Sequence, residues 1–314
     1  MKKTTIQLNL IGAVVLAVGS LLPVFAEEDV QSESPITLQV GQLTAVFADN
    51  TAFGDQHRER YNGIAELHHA SASGNLFVPL YAGFNLEHFF GGDYLEELFE
   101  PREHPMTLSQ LDDHTVQLHQ PPPPRSKVET TTTFRMAGPY YIDVDVEIVF
   151  HDLSQFRHGY AGLFYASYIN APEDKAIHFW GISEDDSNPR WITAYSPEHG
   201  VESTHTYVDD AYEPYYVENF NTTLANHYSK YHYIEPFYYG LRGDMVFAIM
   251  FDRTEGIRFS QSPTGGGEKN PAWDFHVLIP DPEIGKTYSF KARLVYKEFV
   301  SAEDIRDEYV NWTP

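Results

Sequence analysis

The chain has 314 residues, no cysteine and a formal charge of −24. That length supports one large core or two modest ones. The missing cysteine excludes disulfides, zinc–thiolate sites and cysteine nucleophiles, and the acidity argues against nucleic acid and anionic membrane surfaces as partners.

Residues 1–26 read as an export leader. Lys2 and Lys3 form a basic start, 11–25 is apolar and broken only by small residues, and Val24-Phe25-Ala26 fits a small-x-small cleavage rule. The apolar run is short for a spanning helix. Removing it takes two lysines and no acids, so −24 becomes −26 for 27–314. The expected location is secreted or periplasmic, with 27–314 as a single domain and no membrane insertion after cleavage.

Aromatic and β-branched runs separated by Gly, Pro, Asn and Asp recur along most of 27–314. This predicts an all-β protein, a large antiparallel sandwich. Residues 27–34 are a polar lead-in, and 36–47 supplies one or two strands. Residues 64–69 are strand-like. Residues 75–90 read as a strand through Leu76, Phe77 and Val78, continuing after Pro79 as 80–90; there Asn85 and Glu87 share a face and His88 points the other way. Residues 93–104 form a Glu-rich surface loop or short helical turn. Two short strands flank Asp112-Asp113 in 106–118, and 121–124 is a stiff polyproline spacer.

The cleanest alternation lies in 140–150. Tyr140, Ile142, Val144, Val146, Ile148 and Phe150 make one face, and Asp143, Asp145 and Glu147 the other. A solvated face explains these acids better than calcium, because carboxylates in a row do not wrap an ion as a loop does. Residues 160–169, apolar on both faces, form a central strand. Strands follow at 177–180, where His178 and Trp180 share a face, and at 191–195. Residues 196–220 are rich in acids and aromatics with little periodicity, and are long enough to be a lid. Residues 245–251 are a buried strand. Strand 257–261 enters a loop with Gly265, Gly266 and Gly267, and 273–279 leaves it. Residues 287–296 alternate again. Ser301-Ala302-Glu303-Asp304 caps a C-terminal helix with Ile305, Tyr309 and Trp312 near one face.

The glycine loop lacks the Lys-Ser or Lys-Thr of a phosphate loop, and no G-x-S-x-G or H-E-x-x-H occurs, so no cofactor is implied. If 225–239 is one strand, His227 and Glu235 share a face but lie roughly 26 Å apart, and His232 faces away, which argues against a metal triad. What remains is a dispersed polar and aromatic set. Rings stack on the apolar faces of pyranoses, while carboxylates, amides and arginine bond hydroxyls. A carbohydrate is therefore the expected partner. Acid–base work on it needs a carboxylate with a histidine or a second carboxylate. Glu235, His178 and His232 are the candidate catalytic residues. Glu87, His88, Trp180, Tyr238, Tyr239, Arg258, Gln261, Asn270, Trp273 and Asp274 are the candidate ligand contacts. Each is also open to a plain structural role; Trp273 in particular is equally a core anchor.

Five segments together resemble a group of uncharacterised exported bacterial proteins: Y-A-G-F-N-L-E-H at 81–88, G-Y-A-G-L-F-Y-A-S-Y-I at 159–169, I-H-F at 177–179, E-P-F-Y-Y-G at 235–240, and 258–275. That resemblance transfers no catalytic residue. The run of long antiparallel strands is similar, more distantly, to the supersandwich of galactose mutarotase-like proteins, in which a Glu and His residues act on a sugar ring. It implies a supersandwich-like fold and a sugar ligand. Two readings follow: a carbohydrate-active enzyme using Glu235 with His178 or His232, and a non-catalytic carbohydrate-binding or structural envelope protein.

Overall fold

The computed structural model describes residues 1, 32–93, 99–218, 220 and 224–313. The expected leader beyond Met1, and 27–31 of the lead-in, lie outside the described residues. Among those described, strand alternation decides the architecture. In β8 (Tyr141–Phe150) Ile142, Val144, Val146, Ile148 and Phe150 are all buried. The acids opposite meet cations across the strand pair. Asp143 accepts two hydrogen bonds from Arg293 at 2.6 and 2.9 Å, and Asp145 accepts one from Lys291 at 2.5 Å. Two of the three acids in the row are thus ion-paired on the outer face.

Three strands, β1 (Ile36–Val40), β2 (Leu43–Ala48) and β3 (Gly63–His69), form a small antiparallel sheet. Fifteen more form a large one. Its spatial order is β4 (Asn85–Phe90), β9 (Tyr160–Ala166), β17 (Ala272–Pro280), β16 (Ile257–Ser262), β12 (Thr204–Tyr207), β13 (Tyr228–Tyr233), β10 (Ile177–Ser183), β14 (Phe237–Arg242), β15 (Met245–Phe251), β18 (Thr287–Glu298), β8, β7 (Val128–Ala137), β6 (Thr115–Gln120) and β5 (Thr107–Asp112), with β11 (Asp186–Ala194) beside β10. Pairing is antiparallel except between β12 and β13. The sheet curls so that its two halves face each other. Phe275 of β17 meets Phe290 of β18 with centroids 6.1 Å apart, and Phe84 meets Phe134 of β7 at 5.8 Å. The core lies between these layers. The fold is all-β and sandwich-like, with a short C-terminal helix, as the patterning predicts.

That helix, α2 (Ala302–Trp312), is capped by Ser301, whose hydroxyl accepts the Asp304 N–H at 3.1 Å. Ile305 buries against the outer face of β14 and β15. No described helix is long and apolar enough to cross a membrane.

Three expectations about elements need correction. The run 75–90 is not one strand, because Leu80 and Phe84 adopt φ of 75° and 52°, which turn the chain and confine the strand to β4. Residues 225–239 are two strands, β13 and β14, with Glu235-Pro236 at the corner between them. The stretch 196–220 is not all lid: β12 is inserted into the sheet between β16 and β13.

Candidate active site

The site forms on the outer face of the β4–β9–β17–β16 quarter of the sheet. Register sets one row straight across it: His88 opposite Phe164, Phe164 opposite His276, and His276 opposite Arg258. The neighbouring row, Leu86, Tyr165, Phe275 and Phe259, points into the core. On β17 the alternation is complete. Trp273, Phe275 and Val277 are core, while Asp274 and His276 face outward beneath other chain segments.

A bulge on β4 completes the set. The pairing shifts between Leu86 and His88, so Glu87 is the extra residue. A bulge re-aims side chains. Glu87 and His88, which strict alternation puts on opposite faces, instead line one cavity of about 110 Å³, with their carboxylate and imidazole 3.5 Å apart. Asp274, Tyr168, Phe164 and Ser262 also line it, and His199 and Leu224 close it from the chain that runs over the sheet.

The surrounding electrostatics are unlike for the two carboxyl groups. Glu87 accepts a hydrogen bond at each oxygen, from Arg102 at 2.7 Å and from the Tyr168 hydroxyl at 2.7 Å. Arg102, from the short helix α1 (Glu100–Glu103), is itself buried and lies 4.1 Å over the Tyr61 ring. Asp274 accepts the Ser167 N–H at 3.0 Å. Burial, with the Glu87 charge adding to it, pushes its carboxyl well above the usual carboxylate range. Burial also lowers His88 to about 4, Glu87 opposing and Arg102 assisting, so its imidazole is neutral near neutral pH. His88 Nδ1 and His276 Nε2 are buried without a hydrogen-bond partner. His276 is lowered well below its ordinary value by burial and by Arg258. His199 Nδ1 and the Ser262 hydroxyl are 2.9 Å apart at the cavity wall. The cavity thus brings together a buried carboxyl pushed well above the usual range, a hydrogen-bonded carboxyl partner and the neutral imidazole of His88, a composition suited to proton transfer to and from a bound hydroxyl.

The other candidates lie elsewhere. Glu235 sits at the β13–β14 corner, where Arg306 of α2 grips it through both oxygens at 2.8 and 2.5 Å. His178 stacks on Tyr239 with centroids 5.0 Å apart and shares a hydrogen bond with Thr193. His232 shares one with Thr206 at 2.9 Å. His178 pairs across from Tyr239 and His232 from Ile182. The two imidazoles therefore stand four strand residues apart, about 13 Å. Glu235, His178 and His232 do not converge as the enzyme reading required. Trp180 packs edge-on to Trp191 near Arg306, in the cluster that α2 covers.

The remaining candidates hold the scaffold. Tyr238 is in the core and donates to the Trp273 carbonyl at 3.2 Å. Trp273 is fully buried and packs on Gly240, where a Cβ would come within 2.3 Å of the ring. Gln261 is buried beside His205. Asn270 fastens the glycine loop, donating to the Gly266 carbonyl and accepting from Ala171 N, each at 3.0 Å. Arg258 donates to Asp210, the Tyr228 hydroxyl and the Tyr212 carbonyl, and so ties Asp210 and Tyr212 to the sheet. Of the glycine loop, Gly265 alone is among the residues lining the cavity, and a Cβ there would meet that of Ala272 at 2.5 Å.

Sequence reasoning missed Arg102, Tyr168, His199 and His276. His276 was within reach, since it shares Asp274's parity in an otherwise apolar strand. Arg102 and Tyr168 carry no local signal, because long-range folding alone brings them to Glu87.

No protein-family model matches the chain, and no curated protein does. Among solved structures, an α-N-acetylgalactosaminidase from Bifidobacterium bifidum in complex with GalNAc aligns with 88% of this chain and 38% of its own, at a TM-score of 0.51 and 8% identity. A putative aldose 1-epimerase from Escherichia coli K12 aligns over 85% of this chain and 99% of its own, at 0.49 and 8%. An aldose epimerase homologue from C. elegans gives 0.46 and 9% over the same shares. The likeness to the α-N-acetylgalactosaminidase is one of fold alone. At such identities no residue role is carried across.

Proposed function

We propose that this is an exported carbohydrate-active protein that binds a sugar at the Glu87–His88–Asp274 cavity and moves a proton there. Asp274 gives its proton to a sugar oxygen, and Glu87 takes one from a hydroxyl. The observation that carries this is the pairing of two carboxyl groups in unlike environments in one cavity, Asp274 buried with its carboxyl pushed upward and Glu87 hydrogen-bonded by Arg102 and Tyr168. The likeness of fold to carbohydrate-acting enzymes supports the ligand class, and the leader-like start at 1–26 supports export.

The cavity of about 110 Å³ is below the usual small-ligand range of about 300–1,000 Å³. Admitting a whole sugar residue therefore requires His199 and Leu224, which close the cavity, to move. The non-catalytic alternative calls for a row of exposed rings. Trp180, Trp191 and Tyr239 are packed together beside α2 and form no such row.

The test is a panel of free sugars and oligosaccharides with the purified full chain, following anomeric exchange by NMR and reducing-sugar release. Turnover that disappears in Asp274→Asn and Glu87→Gln supports the reading. Turnover unaffected by either variant, or no binding and no turnover on any sugar, overturns it.

A further inference from the structure

A second, larger cavity lies at the open end of the sandwich and shares no lining residue with the first. Its volume is about 490 Å³, within the range of small-molecule sites. It opens where the two layers part. Val277 and Ile279 of β17 form one wall, and Ile148 of β8 with Phe290 of β18 form the other. All four are core side chains whose inner ends pack in the main cluster, so the floor is apolar. The rim comes from two loops, 209–212 and 253–256, and from Tyr288.

The rim is one-sided in charge. Asp209, Asp210 and Glu255 line it against a single guanidinium, Arg253, which is itself paired with Asp252. Asp210 is taken up by Arg258 at 2.8 Å. Asp209 and Glu255 are exposed at the mouth. Tyr207, Tyr212 and Tyr288 stand around the same opening. Aromatic rings and carboxylates over an apolar floor match a cation that carries hydrocarbon, since the ring faces attract a weakly hydrated cation and the floor takes its alkyl groups. The whole-chain charge of −24 adds a field of the same sense.

We infer that this cavity is a binding site for a small organic cation, an alkylammonium compound, distinct from the proposed sugar site. The inference does not rest on the sugar reading. The probe is choline, compared with its uncharged carbon isostere in which a tert-butyl group replaces the trimethylammonium, each titrated into the full chain by calorimetry and by ligand-observed NMR. Choline is expected to bind about tenfold more tightly than the isostere at low salt, with the gap narrowing as salt is added. Glu255→Gln and Asp209→Asn, both at exposed positions, are expected to weaken choline severalfold and leave the isostere unchanged. Ala211→Trp, from the exposed rim, fills the mouth and should abolish binding of both. Equal affinity for choline and isostere overturns the inference, as does no saturable choline binding, or choline binding that survives Ala211→Trp.

Discussion

Replacing Asp274 with asparagine isolates the buried acid. The amide keeps the oxygen that accepts the Ser167 N–H at 3.0 Å, and it carries no charge at any pH. In the wild type, burial raises the Asp274 carboxyl well above its ordinary value of 3.8. The fold therefore holds a proton that the unfolded chain has released. Unfolding becomes more favourable as pH rises through that window, so stability falls above about pH 4, by about 1.4 kcal/mol per pH unit, until the folded-state value is passed. The asparagine variant lacks this slope. The stability difference, variant minus wild type, should thus grow as pH rises from about 4, with a slope of up to about 1.4 kcal/mol per unit, measured by urea melts of both proteins. Parallel pH profiles, or a uniform loss in the variant, would refute the claim that Asp274 is a protonated acid in the folded protein.

His88 acts in the opposite sense. Its folded value of about 4 lies below its ordinary 6.5, so its contribution is present above pH 6.5 and lost as pH falls toward 4. His88→Gln should flatten the acid limb of the same profile by about 3 kcal/mol; an unchanged limb counts against a buried neutral imidazole. Gly240→Ala drives a Cβ to 2.3 Å from the Trp273 ring and should cost about 1–3 kcal/mol, visible as a lower urea midpoint with quenched or shifted tryptophan fluorescence. Arg306→Ala removes the partner of Glu235 at a site where the arginine side chain is 42% exposed. It should cost no more than about 1 kcal/mol and leave sugar turnover intact; lost turnover would return Glu235 to the chemistry.

The sheet was readable from sequence wherever one face is buried and the other wet. In β8 the odd and even positions differ in every pair, and β18 answers with Lys291 and Arg293 opposite Asp145 and Asp143. The site was only half readable. Asp274 stands out as the acid in an apolar run, and Glu87-His88 is a visible acid–imidazole pair, yet strict alternation sends the two side chains to opposite faces. The bulge that unites them depends on how β4 meets β9, and one strand's sequence does not contain that pairing. In the glycine loop, Gly265 lines the cavity while Asn270 fastens the loop to Gly266 and Ala171. Glu235 drew attention as an acid among tyrosines, and its partner Arg306 lies 71 positions away on another element.

The central claim is that sugar chemistry belongs to the Glu87–Asp274 cavity and not to the Glu235 corner. Turnover of the best sugar by wild type, Glu87→Gln and Glu235→Gln, side by side under one set of conditions, tests it most directly. Loss of one carboxylate acting in proton transfer costs on the order of a hundredfold, so Glu87→Gln should fall by that much while Glu235→Gln stays within a few-fold of wild type. The reverse pattern, with Glu235→Gln inactive and Glu87→Gln retained, would contradict it.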